Sequence, residues 1–109
     1  LADIEIELMA LETMELRALF DASKGRGPGP ESSLLKIKGT EVQQALQQLM
    51  MDLAGLYGAV LPGTRKAEAS DHDFGDEARR AFMYGRAATI YGGSNEVQKN
   101  ITAKAVLGL

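Results

Sequence analysis

Near its end the chain reads Ile90-Tyr91-Gly92-Gly93-Ser94-Asn95-Glu96, and these are the residue types best placed to do chemistry. Two adjacent glycines leave main-chain amides uncovered, and a hydroxyl residue just before a helical pattern exposes that helix's amino end. Unpaired N–H groups there offer partial positive charge to an acyl oxygen or a phosphate. The same residues equally make a helix-breaking turn closed by a capping serine. Spacing alone leaves both possibilities open.

Other chemistries find little support. The single histidine, His72, lies in a polar stretch between Asp71 and Asp73, without the spacing of a metal-ligand set. A carboxylate di-iron site would need Glu-x-x-His pairs on facing helices, so no metal is expected. No serine sits in a Gly-x-Ser-x-Gly elbow. The absence of cysteine removes disulfides, thiolate ligands and thiol nucleophiles, and fits a reducing compartment. A formal net charge of −3, with basic residues scattered, gives no footprint for nucleic acid or anionic lipid. The apolar runs are too short for membrane insertion. The expectation is a soluble, cytoplasmic protein.

The elements that must position the glycine corner are all helical. Residues 2–22 lack Gly and Pro, and Ile4, Leu8, Leu11, Ala18 and Ala22 recur at helical steps as one buried face. Ile6, Met9, Met14, Leu16 and Leu19 widen that face beyond what one partner covers. Leu1 falls inside this pattern with no cap before it, so the natural chain is expected to continue upstream. Residues 25–30, Gly-Arg-Gly-Pro-Gly-Pro, cannot stay helical. A second helix is expected over 31–60, about 45 Å long, with Leu34, Leu35, Ile37, Val42, Leu46, Leu49, Met50, Leu53 and Tyr57 as its apolar positions. Within it Gly39 and Gly55 each weaken the helix or mark a close approach. Residues 61–75 are expected as a loop and 76–91 as a helix. After the Gly-Gly-Ser break a last helix runs over 95–107, with Ser94 or an Asn95/Gln98 capping box at its start. The fold class is all-α, an antiparallel up-down bundle forming one domain over residues 1–109, lacking at least one helix upstream.

The stretch IYGGSNEVQKNITAKAVLGL closely resembles the end of acyl-CoA dehydrogenases. That family typically closes on Ile-Tyr-(Glu or Gly)-Gly-(Thr or Ser), a short polar stretch, and a helix ending near Val-Leu-Gly-Leu. The layout of the remaining helices also fits the later part of the family's C-terminal four-helix domain. The resemblance implies acyl-binding and β-barrel domains, and the bundle's first helix, upstream of Leu1. It implies FAD as cofactor, an acyl-CoA substrate in fatty acid metabolism, an electron-transfer acceptor, and a homo- or hetero-oligomer, dimer or tetramer. In the family a glutamate removes the α proton while the β hydrogen passes to the flavin as hydride. Carried over by resemblance, the Gly92 amide polarises the thioester carbonyl, Tyr91 walls the acyl and flavin region, and Gly93 admits the cofactor to the backbone. Ser94 contacts FAD through its hydroxyl, with Asn95 and Glu96 beside it. Glu96 is equally explained as a first-turn acid favoured by the helix dipole. Arg86 could pair with Glu96, face acyl-CoA, or be a surface arginine.

Two departures from the family pattern stand out. Many members carry the catalytic glutamate directly after the tyrosine, where this chain has Gly92, which has no side chain to act as a base. The base is then expected from the first helix of the bundle, or the subunit is an inactive one whose partner holds the working site; Glu12 and Glu15 fit a solvated helix face. Many members also place a Gly-Gly-x-Gly turn after the long helix, touching the FAD of a neighbouring subunit. Residues 56–63, Leu-Tyr-Gly-Ala-Val-Leu-Pro-Gly, match it poorly. The competing possibility, from another class, is a helical oligomerisation or interaction module with a purely structural turn.

Overall fold

A stretch free of glycine and proline opens the chain, and in the computed structural model, which describes residues 1–59 and 74–108, it is helix α1, Ala2–Ser23. Asp3 and Glu5 in its first turn complement the positive end of the helix dipole. At the other end Gly25 takes φ +78°. Its amide donates to the Ala22 carbonyl and that of Arg26 to the Asp21 carbonyl, a Schellman closure that a residue with a Cβ would adopt only under strain.

Helix α2, Glu31–Ala54, follows the Gly/Pro turn, and α3, Leu56–Ala59, is a single turn beyond it. The continuous helix expected over 31–60 is therefore interrupted. At Gly55 the backbone turns to φ +53°, ψ −130°, a conformation open to glycine but not to an L residue. The 24-residue α2 is about 36 Å long rather than 45. Helix α4, Phe74–Gly85, begins inside the stretch expected as loop, and passes into a 3-10 turn over Arg86–Thr89 instead of staying α-helical to Tyr91. A local cause is visible: the Gly85 carbonyl accepts from the side-chain amide of Gln44 on α2, 3.0 Å away. Helix α5, Asn95–Leu107, closes the fold, with Gly108 at φ +70° ending it. The rest of the expected loop, with His72, lies outside the described residues.

Helix α2 is the spine. On one side it takes α1, where Leu11 lies over Gly39 and Lys38 of α2 pairs with Glu7, 3.3 Å away. On the other it takes α4, the 3-10 turn and α5. The start of α4 meets the chain just past α2, since a Cβ on Gly75 would reach 2.7 Å from the Tyr57 backbone, while its end meets Gln44 and Gln47. The start of α1, Asp3 and Ile4, lies in one groove with Val42 and Ala45 further along α2, so both α1 and α4 run antiparallel to α2, the up-down arrangement expected of an all-α bundle. Among the described residues there is no strand, and no helix is long and apolar enough to cross a membrane.

The core is thin. Among the described residues the buried apolar ones are Ile37, Ala54, Ala78 and Ala88, accompanied by buried Ser33, Thr40, Gln47 and Asn95. On α2 the buried positions Ser33, Thr40, Gln47 and Ala54 repeat every seven residues, with Ile37 between them. This short, largely polar seam lets α4 and the 3-10 turn approach closely. Of the apolar positions expected over residues 31–60, Ile37 is buried, Leu35, Val42, Leu49 and Met50 are half-buried, and Leu34, Leu46, Leu53 and, in α3, Tyr57 are exposed. On α1, Ile4, Leu11, Met14 and Ala18 are half-buried against α2, while Leu8 and Ala22 lie outside that contact. Ile6, Met9, Leu16, Leu19 and Phe20 face outward. The radius of gyration is 18.1 Å and the extents are 57 × 25 × 23 Å, against roughly 13 Å for the radius of a compact domain of this length.

Candidate functional site: the glycine corner

The corner between α4 and α5 is built by three local devices. First, the 3-10 turn ends with the amides of Ile90 and Tyr91 both donating to the Ala87 carbonyl, at 2.9 and 3.0 Å. This stops the helix and leaves Ile90 and Tyr91 exposed. Second, Gly92 and Gly93 take φ +67° and +86° in succession, which reverses the chain and which only glycine does without strain. Third, Ser94 in extended geometry caps α5: its hydroxyl oxygen accepts from the Val97 amide at 3.3 Å, and its carbonyl accepts from the Gln98 amide at 2.9 Å.

The capping box expected from Asn95 and Gln98 does not form. Ser94 is the cap, and the Gln98 side-chain amide reaches further back and donates to the Gly92 carbonyl at 3.1 Å. That bond fixes the Gly92 carbonyl against the first turn of α5. The Gly92 amide donates to no described residue, and a Cβ placed on Gly92 would meet nothing within 4 Å. An amide with no acceptor among the described residues thus precedes, by two residues, the cap of a 13-residue helix whose amino end carries partial positive charge. By contrast, a Cβ on Gly93 would come within 2.7 Å of the Gln98 side-chain nitrogen.

The other residues singled out in the sequence divide clearly. Tyr91 is half-exposed beside the glycines. The Glu96 carboxyl is exposed and held below the ordinary glutamate range, first by its own backbone amide, then by the Ser94 hydroxyl, with Lys99 and Lys36 adding favourable charge. Asn95 is turned inward: it is 7% exposed, its side-chain oxygen accepts from the Lys36 ammonium at 2.7 Å, and its amide nitrogen donates to the Thr40 hydroxyl at 3.3 Å. Arg86 lies over the Phe82 ring and donates to the carbonyls of Phe82 and Gln44, so it braces the 3-10 turn and does not pair with Glu96. Glu12 and Glu15 sit on the exposed side of α1. Among the described residues no group of three His, Cys, Asp or Glu side chains could hold a metal ion.

Sequence reasoning missed the residues of α2 that face this corner: Lys36, Thr40, Gln44 and Gln47. A signal existed in the seven-residue repeat of Ser33, Thr40 and Gln47, which a count of apolar residues passes over.

The corner thus combines a glycine amide without an acceptor among the described residues, a serine cap and an asparagine held to α2. Residues 1–107 match the family described as acyl-CoA dehydrogenase, C-terminal domain. The chain is 39% identical over 100 residues to acyl-CoA dehydrogenase IpdE1 of Mycobacterium tuberculosis, covering 92% of this chain and 22% of that protein. It is 38% identical over 82 residues to acyl-CoA dehydrogenase IpdE1 of Mycolicibacterium smegmatis, covering 75% of this chain and 18% of that one. The chain thus spans about a fifth of the length of the curated relatives it matches. No solved structure gives a significant match. The family match along nearly the whole length establishes that the chain belongs to the acyl-CoA dehydrogenase family, and its all-helical fold agrees with that family's C-terminal domain.

Proposed function

We propose that this domain forms one wall of the flavin and thioester site of an enzyme that oxidises the Cα–Cβ bond of an acyl-CoA. FAD, when bound, supplies the acceptor for the β hydrogen. The residues present fit such an occupant: the corner offers the unpaired Gly92 amide to electron-rich oxygen, and Gly92 has no side chain, with nothing within 4 Å of where one would stand, to keep a planar ring away.

In this assignment the Gly92 amide donates to the thioester carbonyl and strengthens that bond as charge moves onto the oxygen, which acidifies the α carbon. Comparable donors contribute about 10²–10³ in kcat. Tyr91 walls the acyl and flavin region, and Gly93 permits close approach of the backbone. Ser94 and Glu96, at the first turn of α5, face the cofactor, and Asn95 contributes through its main chain while its side chain holds the turn. Gly92 has no side chain to take the α proton, so another residue of the complete enzyme supplies the base. The outward stripe of α1 is covered by other protein surface in the complete enzyme, either its own bundle or a neighbouring subunit.

The observation that carries this assignment is the Gly92 amide, with no acceptor among the described residues and no neighbour within 4 Å of its Cβ position, inside the family's closing motif. The test is the visible absorbance of the complete protein. A flavin spectrum that bleaches on addition of an acyl-CoA is expected, together with weaker flavin retention in Ser94→Ala. A protein that binds no flavin would instead leave a helical interaction module, which the exposed Ile6, Met9, Leu16 and Phe20 of α1 would then serve.

A further inference from the structure

The first residue of α5 is fastened to α2 by its side chain, and the fastening is polar at both ends. The Asn95 side-chain oxygen accepts from the Lys36 ammonium at 2.7 Å, a charge-assisted bond of the stronger kind. Thr40 donates its one hydroxyl proton to the Ile37 carbonyl at 2.8 Å. Its oxygen is thereby left to accept from the Asn95 nitrogen at 3.3 Å. The ammonium can only donate, so the Asn95 amide presents its oxygen to Lys36, while the Thr40 hydroxyl lies 3.3 Å from its nitrogen and 3.4 Å from its oxygen. Both α2 partners are one helical turn apart, and Asn95 and Thr40 are buried, so water does not readily replace either bond.

Among the described residues no other hydrogen bond on the far side of the corner joins α5 to α2, although the two helices also pack together. The Ser94 and Gln98 bonds are local to α5, and Gln44 and Arg86 hold the chain before the glycines. Two glycines at positive φ make a flexible joint, so the direction of the Gly92 amide depends on where α5 begins. From these bonds we infer that Lys36 is the positioning residue of the glycine corner, acting through Asn95 to fix the direction of the Gly92 amide. Its consequence for catalysis rests on the flavin and thioester assignment above; its consequence for the backbone does not.

The test uses the complete protein and amide hydrogen exchange at Val97 and Gln98, whose protection depends on the first turn of α5. Lys36→Met should speed exchange there about tenfold, the size expected for one charge-assisted bond, while exchange in α1 is unchanged. Lys36→Arg, which keeps a cationic donor, should restore most of the protection. The double variant Lys36→Met with Asn95→Ala should be no worse than Asn95→Ala alone, because both act through one contact. With acyl-CoA, Lys36→Met should lower kcat several-fold with little change in KM. Unchanged exchange in Lys36→Met, or losses that add in the double variant, would overturn the positioning role. Faster exchange with an unaltered kcat and flavin spectrum would leave the positioning role standing and overturn the catalytic assignment of the corner.

Discussion

Gly92 and Gly93 share a conformation but not an environment, and replacing each by alanine separates backbone strain from crowding. Either alanine must hold a left-handed φ, at +67° or +86°, which costs an L residue about 1–2 kcal/mol. At Gly92 nothing more is lost, because its Cβ would stand in open space. At Gly93 the Cβ would come within 2.7 Å of the Gln98 side-chain nitrogen. That amide must then abandon the Gly92 carbonyl, which it holds at 3.1 Å, at a further cost of about 1 kcal/mol. The strain is relieved when the start of α5 opens, so the assay is thermolysin cleavage at Val97 and Ile101 under conditions where the rate follows the open population. Gly92→Ala should be cleaved roughly 5- to 30-fold faster than the parent, and Gly93→Ala about fivefold faster again. In a Gln98→Ala background the two should agree to within about twofold. If Gly93→Ala is no worse than Gly92→Ala, or the gap survives removal of Gln98, the crowding argument is wrong.

Other expectations follow from the same geometry. A Cβ on Gly85 would collide with the side-chain amide of buried Gln47, whose oxygen has no hydrogen-bond partner. Gly85→Ala should therefore destabilise by about 1–3 kcal/mol in thermal unfolding, and Gln47→Ala should reverse part of that loss; a Gly85→Ala protein as stable as the parent would show the α2–α4 seam to be looser than described. The Glu96 carboxyl is held below the ordinary glutamate range, so its contribution to the start of α5 is complete above the unfolded-state value and is lost as pH falls through the lower folded-state one. Glu96→Gln should flatten that acid limb of α5 exchange protection while leaving the neutral-pH shape of the curve unchanged, and an identical limb in both proteins would count against the Glu96–Ser94 contact.

Much of this architecture was legible because its causes are local. The Gly/Pro run at residues 25–30 and the Gly92-Gly93-Ser94 break act through backbone rules that hold in any surroundings, and the structure has both. Gly55 was harder to judge, since one glycine inside a helix costs only about 1 kcal/mol and the apolar periodicity runs straight across it. Whether it bends depends on α3 reaching Gly75 of α4, a tertiary contact. The Ser33, Thr40 and Gln47 seam escaped for a related reason: pattern counting assigns burial to leucines, whereas here polar side chains are buried and Leu46 and Leu53 remain outside. Asn95 shows the same limit at the site. Its place in the closing motif resembled a cofactor contact, but only the fold reveals that its side chain is committed to Lys36 and Thr40.

The most direct test of the central claim is a crystal structure of the complete protein with a bound acyl-CoA thioester. The Gly92 amide nitrogen should lie about 2.7–3.1 Å from the thioester oxygen, with Tyr91 and Ser94 against the flavin. A corner found packed beneath other protein, with the thioester oxygen held elsewhere, would contradict the account.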